Sequence, residues 1–323
     1  MSGTTRPRRL CGAVATLAAV ATCLTIGAGT AGAAPAGAAD DPATPGGTGC
    51  GRPAPQQPGT TAVRTTASGG LDRSVRVHLP EDYSPDRAWP LVLVFHGRGN
   101  SGAETEGFSG LSGLPAVVAY SDGVPGGEGK RSWQGAPYSA PGVDDVAFTG
   151  DLIDDLGADL CLDDDRTFAT GKSNGGGFTE ILACRLPDRI AAIAPVAGAY
   201  YRAGEPPCDP GRPVPALFVH GTGDATIPYT GDVGRGLPAI PDTVAGWARR
   251  DGCDPVPATR RIEPDVTVQR FDGCDGGARV GHVAVDGGGH TWPGATAYSG
   301  GGTTTQTVRA TDLIGAFFGL GRS

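Results

Sequence analysis

The pentapeptide Gly171-Lys172-Ser173-Asn174-Gly175 is the first place in this chain where chemistry can be read. A serine hydroxyl is a weak nucleophile until a base takes its proton. A sharp turn between a strand and a helix meets that need: it aims the hydroxyl at a histidine and leaves no room for side chains beside it. The flanks fit such a turn, because residues 166–170 read as a strand and a helix-like run begins at Gly176. Alone the pattern says little. In a chain with 55 glycines it arises by chance, and a serine that merely caps a helix carries no chemistry.

Two further motifs downstream supply what the serine lacks. His220-Gly221-Thr222-Gly223-Asp224 follows the apolar run 214–219, and Gly287-Gly288-Gly289-His290-Thr291-Trp292-Pro293-Gly294 follows the β-branched run 280–285. Of the five histidines, His78 and His282 lie inside expected strands, His96 belongs to a His-Gly turn and His220 precedes the acid. Only His290 lies on a late glycine-rich loop, where a general base is free to face the serine. Asp224 is the acid expected to orient that base, with Asp254 and Asp272 as rivals, each beside or near a cysteine. Upstream, the run 91–95 leads into His96-Gly97-Arg98-Gly99, a loop suited to donating a backbone N–H to an oxyanion. The second donor expected there is the N–H of Asn174. For both residues the expectation concerns the backbone, so the side chains of Arg98 and Asn174 carry little weight.

All four motifs need strands behind them. Strands are expected at 61–66, 73–79, 91–95, 116–120, 190–196, 214–219 and 280–285, with helices over 143–160, after the serine, around Val244 and Trp247, and over 307–320. This alternation predicts an α/β fold with a mostly parallel central sheet and helices on both faces. Ligands on such sheets bind at the carboxyl ends of the strands, where all four motifs fall. The long loop 121–142, rich in Gly and Pro, is a candidate wall for a substrate cleft. Trp133 within it and Trp292 beside His290 are candidate substrate-binding residues, with Tyr138 as a further aromatic face.

Serine, then acid, then histidine is the chain order of the α/β-hydrolase triad. More narrowly, the chain resembles the secreted esterases grouped as polyhydroxybutyrate depolymerases and feruloyl esterases, relatives of carbohydrate esterase family 1. The resemblance rests on Gly49-Cys50-Gly51, Leu93 to Gly97, Val143-Asp144-Asp145-Val146, Ser173 to Gly177, Leu182-Ala183-Cys184-Arg185, His220 to Asp224 and His290 to Gly294. Lys172 and Arg98 occupy variable positions of their motifs. The likeness implies a single α/β-hydrolase domain that cleaves esters rather than amides, with Ser173 as nucleophile, His290 as base, Asp224 as its partner and no cofactor or metal. It implies feruloyl esters of plant arabinoxylan as substrates, with polyhydroxybutyrate and related polyesters as the alternative. A serine peptidase and a non-catalytic binding module on the same fold are the remaining readings.

Composition and ends bound the rest. Arg6, Arg8 and Arg9 precede an apolar stretch to about Ile26, followed by small-residue cleavage patterns, so residues 1–33 (or 1–38) are expected to be a secretory signal peptide. Residues 34–60 read as a flexible lead-in and 61–323 as the esterase domain, acting outside the cell as a monomer with no lasting membrane association. A net charge of −8 without a basic run argues against nucleic acid as a partner. Six of the eight cysteines lie beyond the signal, and an even number in an exported domain suggests disulfides. Fifteen connectivities are open; proximity favours Cys184–Cys208 and Cys253–Cys274, leaving Cys50 for Cys161. The chain stops at Ser323, soon after the closing helix, which favours soluble esters over a solid polymer.

Overall fold

In the computed structural model, which describes residues 47–321, strands and helices alternate along the chain. They are β1 (Thr61–Ser68), β2 (Leu71–His78), β3 (Trp89–Phe95), α1 (Gly102–Ser109), β4 (Val117–Ser121), β5 (Val124–Pro125), β6 (Arg131–Ser132), α2 (Asp145–Asp159) and β7 (Leu162–Lys172). There follow α3 (Asn174–Arg185), β8 (Ala192–Val196), β9 (Ala216–Gly221), α4 (Ile240–Arg250), β10 (Ala258–Glu263), β11 (Val266–Phe271), β12 (Val280–Val285) and α5 (Ala310–Phe317).

Ten of the strands form one sheet in the order β1-β2-β4-β3-β7-β8-β9-β12-β11-β10. The central strands β4, β3, β7, β8, β9 and β12 run parallel, and the two edges are antiparallel. All seven residues of β3 are buried, as an uninterrupted apolar strand must be when both sheet faces are covered. Its period-two alternation divides the core. Leu91, Leu93 and Phe95 join a cluster with Phe148, Phe178 and Trp247, from α2, α3 and α4. Val92 and Val94 join the opposite cluster with Leu111, Trp292, Ile314 and Phe318. The structure is the expected α/β-hydrolase arrangement of one mostly parallel sheet with helices on both faces.

Strand order is what assembles the site. The His-Gly turn leaves β3, the serine leaves β7, the aspartate follows β9 and the histidine follows β12, and these strands lie side by side with only β8 between β7 and β9. Pairing of Phe95 with Gly171, and of Val285 with Gly221, brings neighbouring strand ends level, so the four loops emerge at one edge.

Several boundaries differ from the sequence expectation. Helix α3 begins at Asn174 rather than Gly176, directly after the serine. Helix α2 is shorter than 143–160, starting after Asp144, whose carboxylate accepts the Ala147 N–H at 2.9 Å as an N-cap. Helix α1 and the β10–β11 hairpin were not expected. Residues 47–60, the end of the expected flexible lead-in, have no helix or strand yet are tied to the domain. The Gly47 N–H donates to Leu162 O and the Gly49 N–H to Gly157 O, each at 2.9 Å, and Cys50 is bonded to Cys161. The other disulfides are Cys184–Cys208 and Cys253–Cys274, the two pairs that proximity favoured, and Cys50–Cys161 is the pair they left over. The expected signal segment 1–33 and residues 34–46 of the lead-in lie outside the described residues.

Candidate active site

Ser173 sits alone between β7 and α3 at φ 57° and ψ −122°, a conformation that a side-chain-bearing residue reaches only under strain of about 1–3 kcal/mol. Backbone bonds hold it there: its N–H donates to Val196 O at 3.0 Å, and its carbonyl accepts from Gly177 and Ala199 at 2.9 Å each. The turn also needs Gly175. A methyl group at that position would come within 2.2 Å of Phe95 O and 2.5 Å of His96 O, so the start of α3 can press against the end of β3 only without a side chain.

The acid and base are paired across the ends of β9 and β12. His290 Nδ1 donates to Asp224 Oδ2 at 2.7 Å. The carboxylate can only accept, so the proton resides on Nδ1 and the Nε2 lone pair is left free. The other carboxylate oxygen, Oδ1, accepts from the N–H groups of Thr226 and Ile227 at 2.8 Å each. Burial pushes the Asp224 carboxyl toward protonation, but hydrogen bonds from His220 and His290 outweigh it and hold its pKa well below the ordinary 3.8. Burial lowers the His290 pKa beneath 6.5, opposed by the bond to Asp224 and assisted by the charge of Lys172. Asp254 and Asp272, the rival acids, make no hydrogen bond or ion pair to His290 among the described residues; the Asp254 N–H donates to Asp272 O at 2.8 Å beside the Cys253–Cys274 disulfide.

Ser173 and His290 line one cavity of about 750 Å³. Their side chains are not hydrogen-bonded to each other in this structure, a looseness common before substrate is bound. Gly97 and Arg98 form the neighbouring wall, and a methyl group on Gly97 would lie 3.3 Å from Ser173 Cβ. The N–H groups of Arg98 and Asn174 make no hydrogen bond among the described residues; that of Asn174 is one of the orphan donors of the first turn of α3. Behind the wall, the neutral His96 braces the turn. Its Nδ1 donates to Gly97 O at 2.7 Å and its Nε2 accepts from Gly123 N–H at 2.9 Å, and burial lowers its pKa to about 4.

Two side chains expected to carry little weight turn out to matter. The Asn174 amide, fully buried, accepts from Trp133 N–H at 2.7 Å and donates to Trp133 O at 3.2 Å, clamping the 121–142 loop to the serine turn. The Arg98 guanidinium stacks 4.2 Å from the Tyr138 ring centre and pairs with Glu128 at 3.2 Å, holding the outer part of that loop. The loop is therefore a cavity wall, as expected, through Lys130 and Tyr138.

Trp133 and Trp292 are corrections. Neither lines the cavity. Trp133 is fully buried against Phe95 and Phe178, with Nε1 donating to His96 O at 3.0 Å. Trp292 turns back under α5, 1% exposed and beside Phe108. Both are core residues because their indoles find apolar partners on the sheet side of their loops. The aromatic faces open to the cavity belong to Phe108, Tyr138, Tyr201 and Tyr298, the last 84% exposed at the rim. His220 is a residue that sequence reasoning passed over: its Nε2–H, 3.0 Å from Ile227 O and 3.3 Å from Asp224 Oδ2, gives the acid a second imidazole partner. Its position four residues before the acid, at the end of the same strand, was the available signal. Among the described residues, no group of three or more His, Cys, Asp or Glu side chains converges as a metal site.

No protein-family model matches the chain. It is similar to feruloyl esterase B of Piromyces equi, 33% identical over 233 residues that cover 68% of this chain and 42% of that longer protein. It is also similar to "Probable feruloyl esterase C" of Aspergillus clavatus, 30% identical over 220 residues that cover 67% of this chain and 75% of the relative. Among solved structures, acetyl xylan esterase from Aspergillus awamori superposes with a TM-score of 0.56 over 80% of this chain and all of that one, at 14% identity, a likeness of fold.

Proposed function

Since this chain belongs to the feruloyl esterase family, we propose that it hydrolyses carboxylic esters through Ser173, His290 and Asp224, and that its substrates are feruloyl esters of plant cell-wall arabinoxylan. The observation that carries the reading is the pairing of a strained serine and an aspartate-held histidine on the wall of one cavity.

The chemistry follows from the geometry. With Nδ1–H committed to Asp224, the His290 Nε2 lone pair takes the Ser173 proton as Oγ attacks the ester carbonyl. The oxyanion is received by the free N–H groups of Asn174 and Arg98, each donor contributing about 3 kcal/mol to the transition state. His290 returns the proton to the departing alcohol oxygen, and water then attacks the acyl-serine by the same route. Tyr138, Tyr201, Tyr298 and Phe108 give a phenolic acyl group or a sugar ring faces to lie against. The three disulfides support a place outside the cell, and among the described residues no helix is long and apolar enough to cross a membrane.

The deciding experiment compares kcat/KM for methyl ferulate and soluble hydroxybutyrate oligomers, alongside clearing of polyhydroxybutyrate granules and release of ferulate from arabinoxylan fragments. Ferulate release is expected to dominate. Efficient granule clearing with negligible ferulate release would overturn the substrate assignment, and failure of Ser173 to react with a fluorophosphonate would overturn the mechanism.

A further inference from the structure

Lys172, the residue before the nucleophile, is only 4% exposed, yet it forms part of the wall of the cavity that holds Ser173 and His290. Among the described residues its ammonium makes no hydrogen bond and no ion pair; Asp224 is the one charge that acts on it from nearby. Desolvation lowers its pKa to about 8, so it still carries its charge at neutral pH. A buried cation without a partner is a standing energetic cost.

The other cations of the wall are engaged. Arg98 and Lys130 share Glu128, each at 3.2 Å. Arg235 donates to Thr226 O at 2.8 Å and to the Tyr201 hydroxyl at 3.3 Å. Glu104, the carboxylate of the wall, accepts hydrogen bonds from the Asn100 amide at 3.1 Å and the Ser101 hydroxyl at 2.8 Å, and pairs with no cation among the described residues. In a chain of net charge −8, the cavity wall thus carries four cations and one carboxylate among the described residues, with Lys172 the cation left unmatched.

Its side of the serine can be told from Gly300. A methyl group there would come within 1.9 Å of His290 O and 2.8 Å of Lys172 Nζ, so the ammonium lies against the histidine loop. The His-Gly turn, where the carbonyl oxygen is received, is a different wall. During acylation the departing alcohol oxygen must sit beside the imidazole that protonates it.

Resting on the ester-hydrolase reading above, we propose that Lys172 is an anion subsite beside the departing alcohol, so that among esters of the same acyl group those whose alcohol carries a carboxylate are turned over better than their neutral counterparts. The bond that breaks is the one between the acyl carbon and the alcohol's oxygen, and the one that forms joins the acyl carbon to Ser173 Oγ. His290 passes the serine proton to the departing oxygen. Lys172 remains protonated and takes no part in the transfer; it binds the carboxylate through a charge-assisted hydrogen bond.

The test uses feruloyl esters of glycolic acid and of 3-hydroxybutyric acid, each paired with its primary amide, which matches the acid in shape but not in charge. Turnover of the amide esters reports ester hydrolysis by itself, and the acid-to-amide ratio of kcat/KM reports the subsite. For at least one pair the wild type is expected to favour the acid by about tenfold or more, through KM. Lys172→Met is expected to bring that ratio close to one, and Lys172→Arg to keep most of it. Lys172→Gln repeats the measurement should the methionine variant fail to fold, and circular dichroism establishes that each variant is folded. A wild-type ratio near one for both pairs would overturn the proposal, as would a neutral variant that retains the wild-type ratio.

Discussion

Asp224 meets His290 with one carboxylate oxygen while the other is occupied by two backbone N–H groups of its own loop, those of Thr226 and Ile227. The acid is therefore fixed in rotation, and the imidazole takes its orientation from a group that cannot turn. This arrangement makes the outcome of an amide substitution specific.

In Asp224→Asn the amide oxygen will take the place between Thr226 and Ile227, which leaves the NH2 group facing His290 Nδ1 and the His220 Nε2–H. His290 must then accept at Nδ1 and carry its proton on Nε2, the wrong tautomer for a base. We expect kcat to fall by roughly 10³–10⁴-fold, while Asp254→Asn stays near wild type. Steady-state kinetics on methyl ferulate checks both. Near-normal activity of the Asp224 variant combined with a large loss in the Asp254 variant would reassign the acid.

Ser173 offers a test of strain as well as of chemistry. Both Ser173→Ala and Ser173→Gly should lose ester hydrolysis, but only glycine relaxes a residue held at φ 57° and ψ −122°. The glycine variant is expected to be more stable than the alanine variant by about 1 kcal/mol, measured by denaturant unfolding. Equal stabilities would mean that the turn is not strained at this residue.

The pH profile follows from burial. A general base must be unprotonated to act, and the His290 pKa lies below 6.5 because of desolvation, with Lys172 assisting and Asp224 opposing. For a neutral ester, kcat/KM should therefore fall on acidification with a midpoint below 6.5. At the other end, Lys172 deprotonates near pH 8, facing Asp224 and His290 as its nearest titratable neighbours. Any preference for acidic esters should shrink above that pH while hydrolysis of neutral esters continues. An acid midpoint above 6.5 contradicts the first expectation.

Rim and core aromatics should separate cleanly. Tyr298→Ala is expected to raise KM for methyl ferulate about fivefold and to leave the melting temperature unchanged. Trp133→Ala removes a fully buried indole and should cost about 3–5 kcal/mol of stability. If Trp133→Ala melted like wild type and bound substrate poorly, the indole would belong to the cavity after all.

The parts of this architecture that could be read from sequence share a physical cause. Strand β3 and the first four residues of β9 are continuous apolar runs, and β12 is rich in buried valine, because both faces of the sheet are covered, and the residues at their ends stood out as glycine-flanked polar breaks. The β10–β11 hairpin was missed because β10 is exposed along most of its length and carries Arg260 and Arg261, so no apolar alternation marks it. Helix α1 is eight residues with three buried positions, none of them large and apolar. Trp133 and Trp292 were misplaced because nearness in sequence to a loop says nothing about which way an indole turns. Asn174 and Lys172 were undervalued for a similar reason: their motif positions tolerate many residues, and only the surroundings reveal an amide clamped to Trp133 and an ammonium left unpaired.

His290 reaches the cavity on a stretch without helix or strand between β12 and α5, held by separate loop-to-loop bonds, such as Gly223 N–H to Gly288 O, Gly289 N–H to Thr303 O, His290 N–H to Gly301 O and Gly294 N–H to Thr305 O, rather than by a continuous ladder. Ser173, by contrast, directly follows the buried final six residues of β7, and Asp224 lies three residues beyond the fully buried β9. Heat should thus find two thresholds in this molecule. The histidine stretch can open locally while the sheet stays intact, switching turnover off at temperatures the rest of the fold survives. On warming, the decline in initial rate should precede the far-ultraviolet dichroism transition, and prompt cooling from between the two should restore full activity; coincident transitions would show that the stretch is as firmly held as the sheet.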